Sequence, residues 1–237
     1  MSEWWTYTPG DFVMFSARSY LRLVERYNAD VWPLHLLTVG AGLAALAVIV
    51  RSPGEGGRRL VSVLLGATWL WVAWTFLRHR FATINWAAEV AAWAFAAEGV
   101  ALVCVGLAPG RRDDAGRTPR DRAAGVAIAT FALVGYPLVA PAMGRPWSQA
   151  EVFGVMPDPT AAATLGLLLL GAPRQRWLMA VPVAACVGGG GLLLTMGNGE
   201  GWLPLLIGAS AAWLALSSRR RLSPAGSARS PPRRRAG

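Results

Sequence analysis

At 237 residues the chain is long enough for one or two soluble domains, yet it is 54% hydrophobic, only 15% charged and has a mean hydropathy of +0.38. That composition excludes an ordinary soluble fold and points to membrane spans, because about 20 apolar residues of helix cross a hydrocarbon core about 30 Å thick. All 23 basic residues are arginine, against 13 acids, and they cluster between apolar runs and at the C-terminus. The net charge of +10 therefore reads as a topology signal and not as a nucleic-acid surface.

Residues 1–30 precede any span. Trp4, Trp5, Tyr7, Phe12 and Phe15 suit a membrane–water interface, and the segment lacks the basic stretch and short apolar core of a signal peptide. From Ser16, a predicted N-cap, Tyr20, Val24 and Tyr27 recur at helical spacing beside Leu23, with Arg18, Arg22, Glu25 and Arg26 on the other side. That pattern predicts an amphipathic helix lying in the headgroup plane.

Apolar runs then predict spans over Val31–Val50, Leu60–Leu77, the stretch after Trp86 to about Leu107, and Ala123–Met143, the last kinked by Pro137 and Pro141. A polar, proline-punctuated loop follows from Gly144 to Thr160. Pro159–Ala172 is a fifth run of fourteen residues, about 21 Å of helix and too short to cross alone. Either the apolar stretch Val152–Met156 dips into the membrane to complete it, or the helix continues past Pro173. Trp177–Met196 and Trp202–Leu216 complete an all-α bundle of seven membrane helices. Residues 1–217 form one membrane domain, and the Ser/Pro/Gly- and arginine-rich residues 218–237 form a disordered tail.

With seven spans the arginines divide 17 to 6 between the two sides. The richer side is cytoplasmic, which places the C-terminus inside and the N-terminus outside an inner membrane. The polar groups then gather on the outer side. Asn85, Trp86, Glu89 and Trp93 share a face at the outer end of the third span, close to Arg78, His79 and Arg80. Glu98 is the only ionisable residue near the middle of any span, where a charge costs at least about 2.5 kcal/mol. It shares a face with Ala87, Ala91, Ala94 and Ala101, which predicts packing against other helices. Glu89 lies about half a turn out of phase with it.

In the loop, Asp158-Pro159 reads as a helix start, with an acidic N-cap and proline at the first helical position. Glu151 and Arg145 are placed to pair across the loop or across a site. His35 and His79, both predicted near the outer boundary, are the candidate proton shuttles. Cys104 and Cys186 lie inside apolar runs without metal-ligand spacing, so neither metal nor cofactor is expected.

The segments Phe81–Ala88, Ala150–Gly154 and Pro157–Thr160, with the N-terminal Trp4-Trp5-Thr6-Tyr7, Asp11-Phe12 and Phe15-Ser16, resemble the signatures of a bacterial multi-pass membrane family. That family carries only a domain-of-unknown-function label. The resemblance covers roughly residues 1–217, implies a polytopic inner-membrane protein and brings no activity or catalytic residues with it. The expected function is a small-solute or ion transporter, or a transport accessory. Its partners are the lipid bilayer and that solute, with no nucleic acid, and its binding residues are His79, Arg80, Asn85, Trp86, Glu89, Glu98, Glu151 and Asp158. The alternatives are a membrane enzyme using Glu151 and Asp158 as acid and base, and a non-catalytic scaffold or sensor.

Overall fold

The computed structural model describes residues 15–51, 54–108, 118–171 and 177–222, with side chains through residue 217. The aromatic N-terminus before Phe15 and the tail beyond Leu222 lie outside the described residues, as does any continuation of the fifth span past Pro173. Every regular element among the described residues is helical.

Helix α1, Ala17–Asp30, starts where Ser16 accepts the Ser19 amide at 3.2 Å, and it buries Tyr20, Val24, Tyr27 and Asn28. Helix α2 is Leu34–Arg51; α3, Glu55–Trp71, continues through a π-helical stretch Val72–Arg78; α4 is Ala87–Leu107. Helix α5, Pro119–Thr130, passes through a π-helical turn Phe131–Gly135 into α6, Tyr136–Ala142. Pro137 explains that turn. It offers no N–H to the carbonyl four residues back, and its ring crowds that carbonyl, so the backbone widens.

Helix α7 is Pro157–Gly171, α8 is Ala180–Thr195 and α9 is Trp202–Leu222. Helix α9 runs past the expected domain boundary at residue 217 because arginine propagates a helix well even after the apolar run has ended.

Among the described residues, six helical stretches are long and apolar enough to cross a membrane: Leu34–Arg51, Glu55–Thr83, Ala87–Leu107, Pro119–Ala142, Trp177–Thr195 and Gly199–Ser217. The protein is a helical membrane bundle. Helix α7 differs in kind. Twelve of its fifteen residues are buried, and it packs against α2, α3, α5, α8 and α9, so it is the axis of the bundle and not a lipid-facing helix. Its approach to α5 is backbone-close: a methyl group on Gly166 would sit 2.6 Å from the Ala129 nitrogen. The apolar stretch Val152–Met156 is buried too and leads directly into α7.

Side-chain ties sort the connections into two ends. Arg80 pairs with Asp30 at 2.7 Å, the Asn28 amide reaches the Ser148 and Ala150 carbonyls, and Arg145 pairs with Glu200. These ties gather α1, the α3–α4 turn, the loop before α7 and the α8–α9 turn at one end, called here the loop end. At the opposite end Arg122 donates to the Val50 carbonyl at 2.9 Å, beside Arg51.

Candidate functional site

The loop before α7 is built to carry a carboxyl inward. After a 3-10 turn at Trp147–Gln149 the chain extends through Ala150 and Glu151, then turns at Val152–Val155. Asn28 of α1 fixes the approach. Its side-chain nitrogen donates to Ser148 O at 2.8 Å and Ala150 O at 2.9 Å, while its oxygen lies 3.1 Å from His35 Nε2. With the amide nitrogen committed to two carbonyls, the oxygen is the acceptor and His35 Nε2 is the donor. Beyond Glu151, Gly154 adopts φ +74° and donates its N–H to Thr160 Oγ1 at 2.8 Å, locking the turn onto the first turn of α7. Glu151 is left buried, 7% exposed, in a segment held from both sides.

Glu151 is acted on by groups from four separate parts of the chain. The Tyr20 hydroxyl of α1 favours its ionised form, and the charges of Asp158, Glu200 and Arg145 act on it. Around it Tyr136, Val139, Ala140, Arg145, Leu193, Glu200 and Leu203 enclose a cavity of about 10 Å³, room for roughly one water. Arg145 forms an ion pair with Glu200, in which the two side chains are only 16% and 8% exposed. The other guanidinium nitrogen, Nη1, is buried with no partner among the described residues.

Asp158 reaches the cluster from α7. Helix α7 begins at Pro157, two residues earlier than expected, so Asp158 lies inside the first turn and not at the cap. Its carboxylate rests on α8, where a methyl group on Gly189 would come within 2.0 Å of Oδ1. No residue with a side chain fits at 189 while Asp158 stays in place. The glycine run of α8 is therefore the seat of a carboxylate.

Electrostatics follow from the burial. Loss of water pushes the Glu151 carboxyl well above the usual carboxylate range, and the negative charges of Asp158 and Glu200 push it further. Arg145 and the Tyr20 hydroxyl oppose this without cancelling it. Burial likewise raises the Tyr20 hydroxyl, aided by the same three carboxylates. Among the described residues no three His, Cys, Asp or Glu side chains converge closely enough to hold a metal ion.

Of the residues expected to form a site, Glu151 and Asp158 come together here. The others do not join them. Asn85 Oδ1 accepts the Ala87 amide at 3.0 Å and so starts α4, and Trp86 is 70% exposed. Glu89 pairs with Arg78, whose guanidinium lies 5.7 Å from the Trp74 ring centre and 5.8 Å from that of Trp93. His79 stands edge-on to Trp74 at 4.8 Å, and Arg80 is held by Asp30. Glu98 is buried in α4, 3% exposed, with Oε1 unpartnered among the described residues, and it stands apart from the cluster. Glu200, Tyr20, Tyr136, Asn28 and Gly189 escaped sequence reasoning. The contrast of a single acid at Glu200 inside a Gly/Asn turn was the one visible hint.

Fold and cluster together define a polytopic helical membrane protein with a buried acidic site at one end of its bundle. The chain belongs to the DUF6064 family, a family of unknown function, whose model matches residues 17–225. No curated protein and no solved structure matches the chain.

Proposed function

We propose that the protein is a proton-linked membrane transporter, or the proton-handling part of one, working through Glu151 with Asp158, Glu200 and Arg145. One observation carries the reading: a buried carboxyl shares a water-sized cavity with a second carboxyl and a single guanidinium, and the charge of Asp158 acts on it as well. Were all three acids ionised, the cluster would hold a net charge of about −2 in a medium of low dielectric, which is strongly unfavourable. Retaining a proton on Glu151 relieves that cost, and losing it is the event that any movement of the loop or of α7 would be linked to. The small cavity suits a proton or a water at rest, with a larger solute entering only when the loop moves.

The same reading sets the orientation. The arginine-poor loop end faces outward across a bacterial inner membrane and the C-terminus lies in the cytoplasm, because 17 of the 23 arginines fall on the opposite side. A cytoplasm-active reporter fused to the C-terminus should work, and one fused within the α3–α4 turn should be silent.

Proton linkage is tested by reconstituting the protein in liposomes adsorbed on a solid-supported membrane and applying pH jumps. A transient charge displacement is expected from the wild type and should be lost in Glu151→Gln. Equal currents from both proteins would remove Glu151 from the mechanism.

A further inference from the structure

A second feature of the loop end lies outside the carboxylate cluster. Asn28, Ala29, Trp32, His35, Pro137, Trp147, Ser148, Ala150 and Val152 line a groove of about 380 Å³ between α1, the start of α2, the start of α6 and the loop. Its walls are almost wholly apolar, and the rims Trp32 and Trp147 are each 63% exposed. Spans begin at Leu34 and end at Ala142 beside it, so the groove lies at the height of the membrane boundary, where indole rings are at home.

Helix α1 gives the groove a charged approach. Its buried face carries Tyr20, Val24 and Tyr27. On the opposite face Arg18, Arg22 and Arg26 follow one another at single-turn spacing, all exposed and without an acidic partner among the described residues. At about 100° per residue, Arg22 and Ala29 share one stripe, and Arg26 lies beside it one turn before the groove. Two guanidiniums roughly 6 Å apart along the helix suit a phosphodiester, which each of them can contact through paired N–H groups.

We infer that α1 and this groove bind an anionic phospholipid, its phosphate on Arg22 and Arg26 and one acyl chain between Trp32, Pro137 and Trp147. A soluble anion would use the arginines and leave the apolar groove unfilled. A neutral lipid would fill the groove and leave the arginine row uncompensated. The anionic lipid satisfies both, and it is present in the phase that surrounds the groove. By binding α1 it would also hold in place the helix that supplies Tyr20 and Asn28 to the Glu151 segment.

The test is native mass spectrometry of the delipidated protein in neutral detergent. It is titrated with phosphatidylglycerol, with phosphatidylcholine of the same acyl chains, and with inorganic phosphate. Phosphatidylglycerol should bind at least tenfold more tightly than phosphatidylcholine. Arg22→Gln and Arg26→Gln should each weaken it about fivefold, the effect of one cation near an anionic headgroup. Ala29→Trp, which fills the groove without touching a charge, should weaken both lipids. Equal retention of the two lipids overturns the inference, as does an Arg22/Arg26 double variant that still prefers phosphatidylglycerol. Displacement of the lipid by inorganic phosphate, or lipid binding unaffected by Ala29→Trp, would reduce the site to a surface phosphate contact and overturn it equally. Circular dichroism checks that each variant keeps its helices.

Discussion

The loop end of the bundle carries two groups of charged residues that differ in every physical respect except location. Arg78 and Glu89, with side chains about two-fifths exposed, and the more exposed Trp74 and Trp93 rings form one group, each charge answered by a neighbour on the adjoining helix. Glu151, Asp158, Glu200 and Arg145 form a buried group in which acids outnumber the base. The first group can exchange its partners for water at little cost. The second cannot, so its protonation state and its geometry must change together. Density of polar residues is thus a poor guide to a site; burial with uncompensated charge is a better one.

Replacing Arg145 with glutamine should separate the two groups most sharply. It removes the only cation of the buried cluster and leaves Glu200 unpaired, which should cost about 3–5 kcal/mol and show as a large fall in the detergent unfolding temperature. Next in size is Gly189→Ala, whose methyl group meets the Asp158 carboxylate. A loss of about 1–3 kcal/mol is expected, and adding Asp158→Ala should recover part of it. If the double variant recovers nothing, Asp158 does not rest on α8 as described.

The pH dependence is the third contrast. A carboxyl whose folded-state pKa is raised contributes stability that is fully present below its unfolded value. That contribution is lost as the pH rises toward the folded value. Since Glu151 is raised, the unfolding temperature should decline as pH is increased above the ordinary carboxylate range, and Glu151→Gln should flatten the profile. The smallest effect belongs to the exposed group: Glu89→Gln should change stability by less than about 1 kcal/mol, because water replaces the lost partner.

The sequence made one of these groups far easier to see than the other. Arg78, Glu89 and Trp93 lie within sixteen residues, on two helices joined by a short turn, and helical spacing alone suggests that they meet. The spans were legible for a similar reason, since apolar length and arginine clustering depend only on local composition. Glu151 drew notice as an acid in an aromatic loop, but its neighbours come from positions 20, 145, 158 and 200. No periodicity links those positions. Gly189 was equally hidden, because a glycine run in an apolar helix gives no sign of the carboxylate that rests on it. The short α7 was visible as an anomaly of length. Its position at the axis of the bundle depends on packing by five other helices, which one segment cannot encode.

The central claim is that Glu151 keeps its proton in the folded protein at neutral pH. Infrared difference spectroscopy between the wild type and Glu151→Gln in detergent or lipid tests this most directly. At neutral pH the wild type should show a carboxylic-acid C=O band that the variant lacks, giving way to carboxylate bands as the pH is raised. If the variant instead loses only carboxylate bands at neutral pH, Glu151 is ionised, and the proton-linked account of the cluster fails.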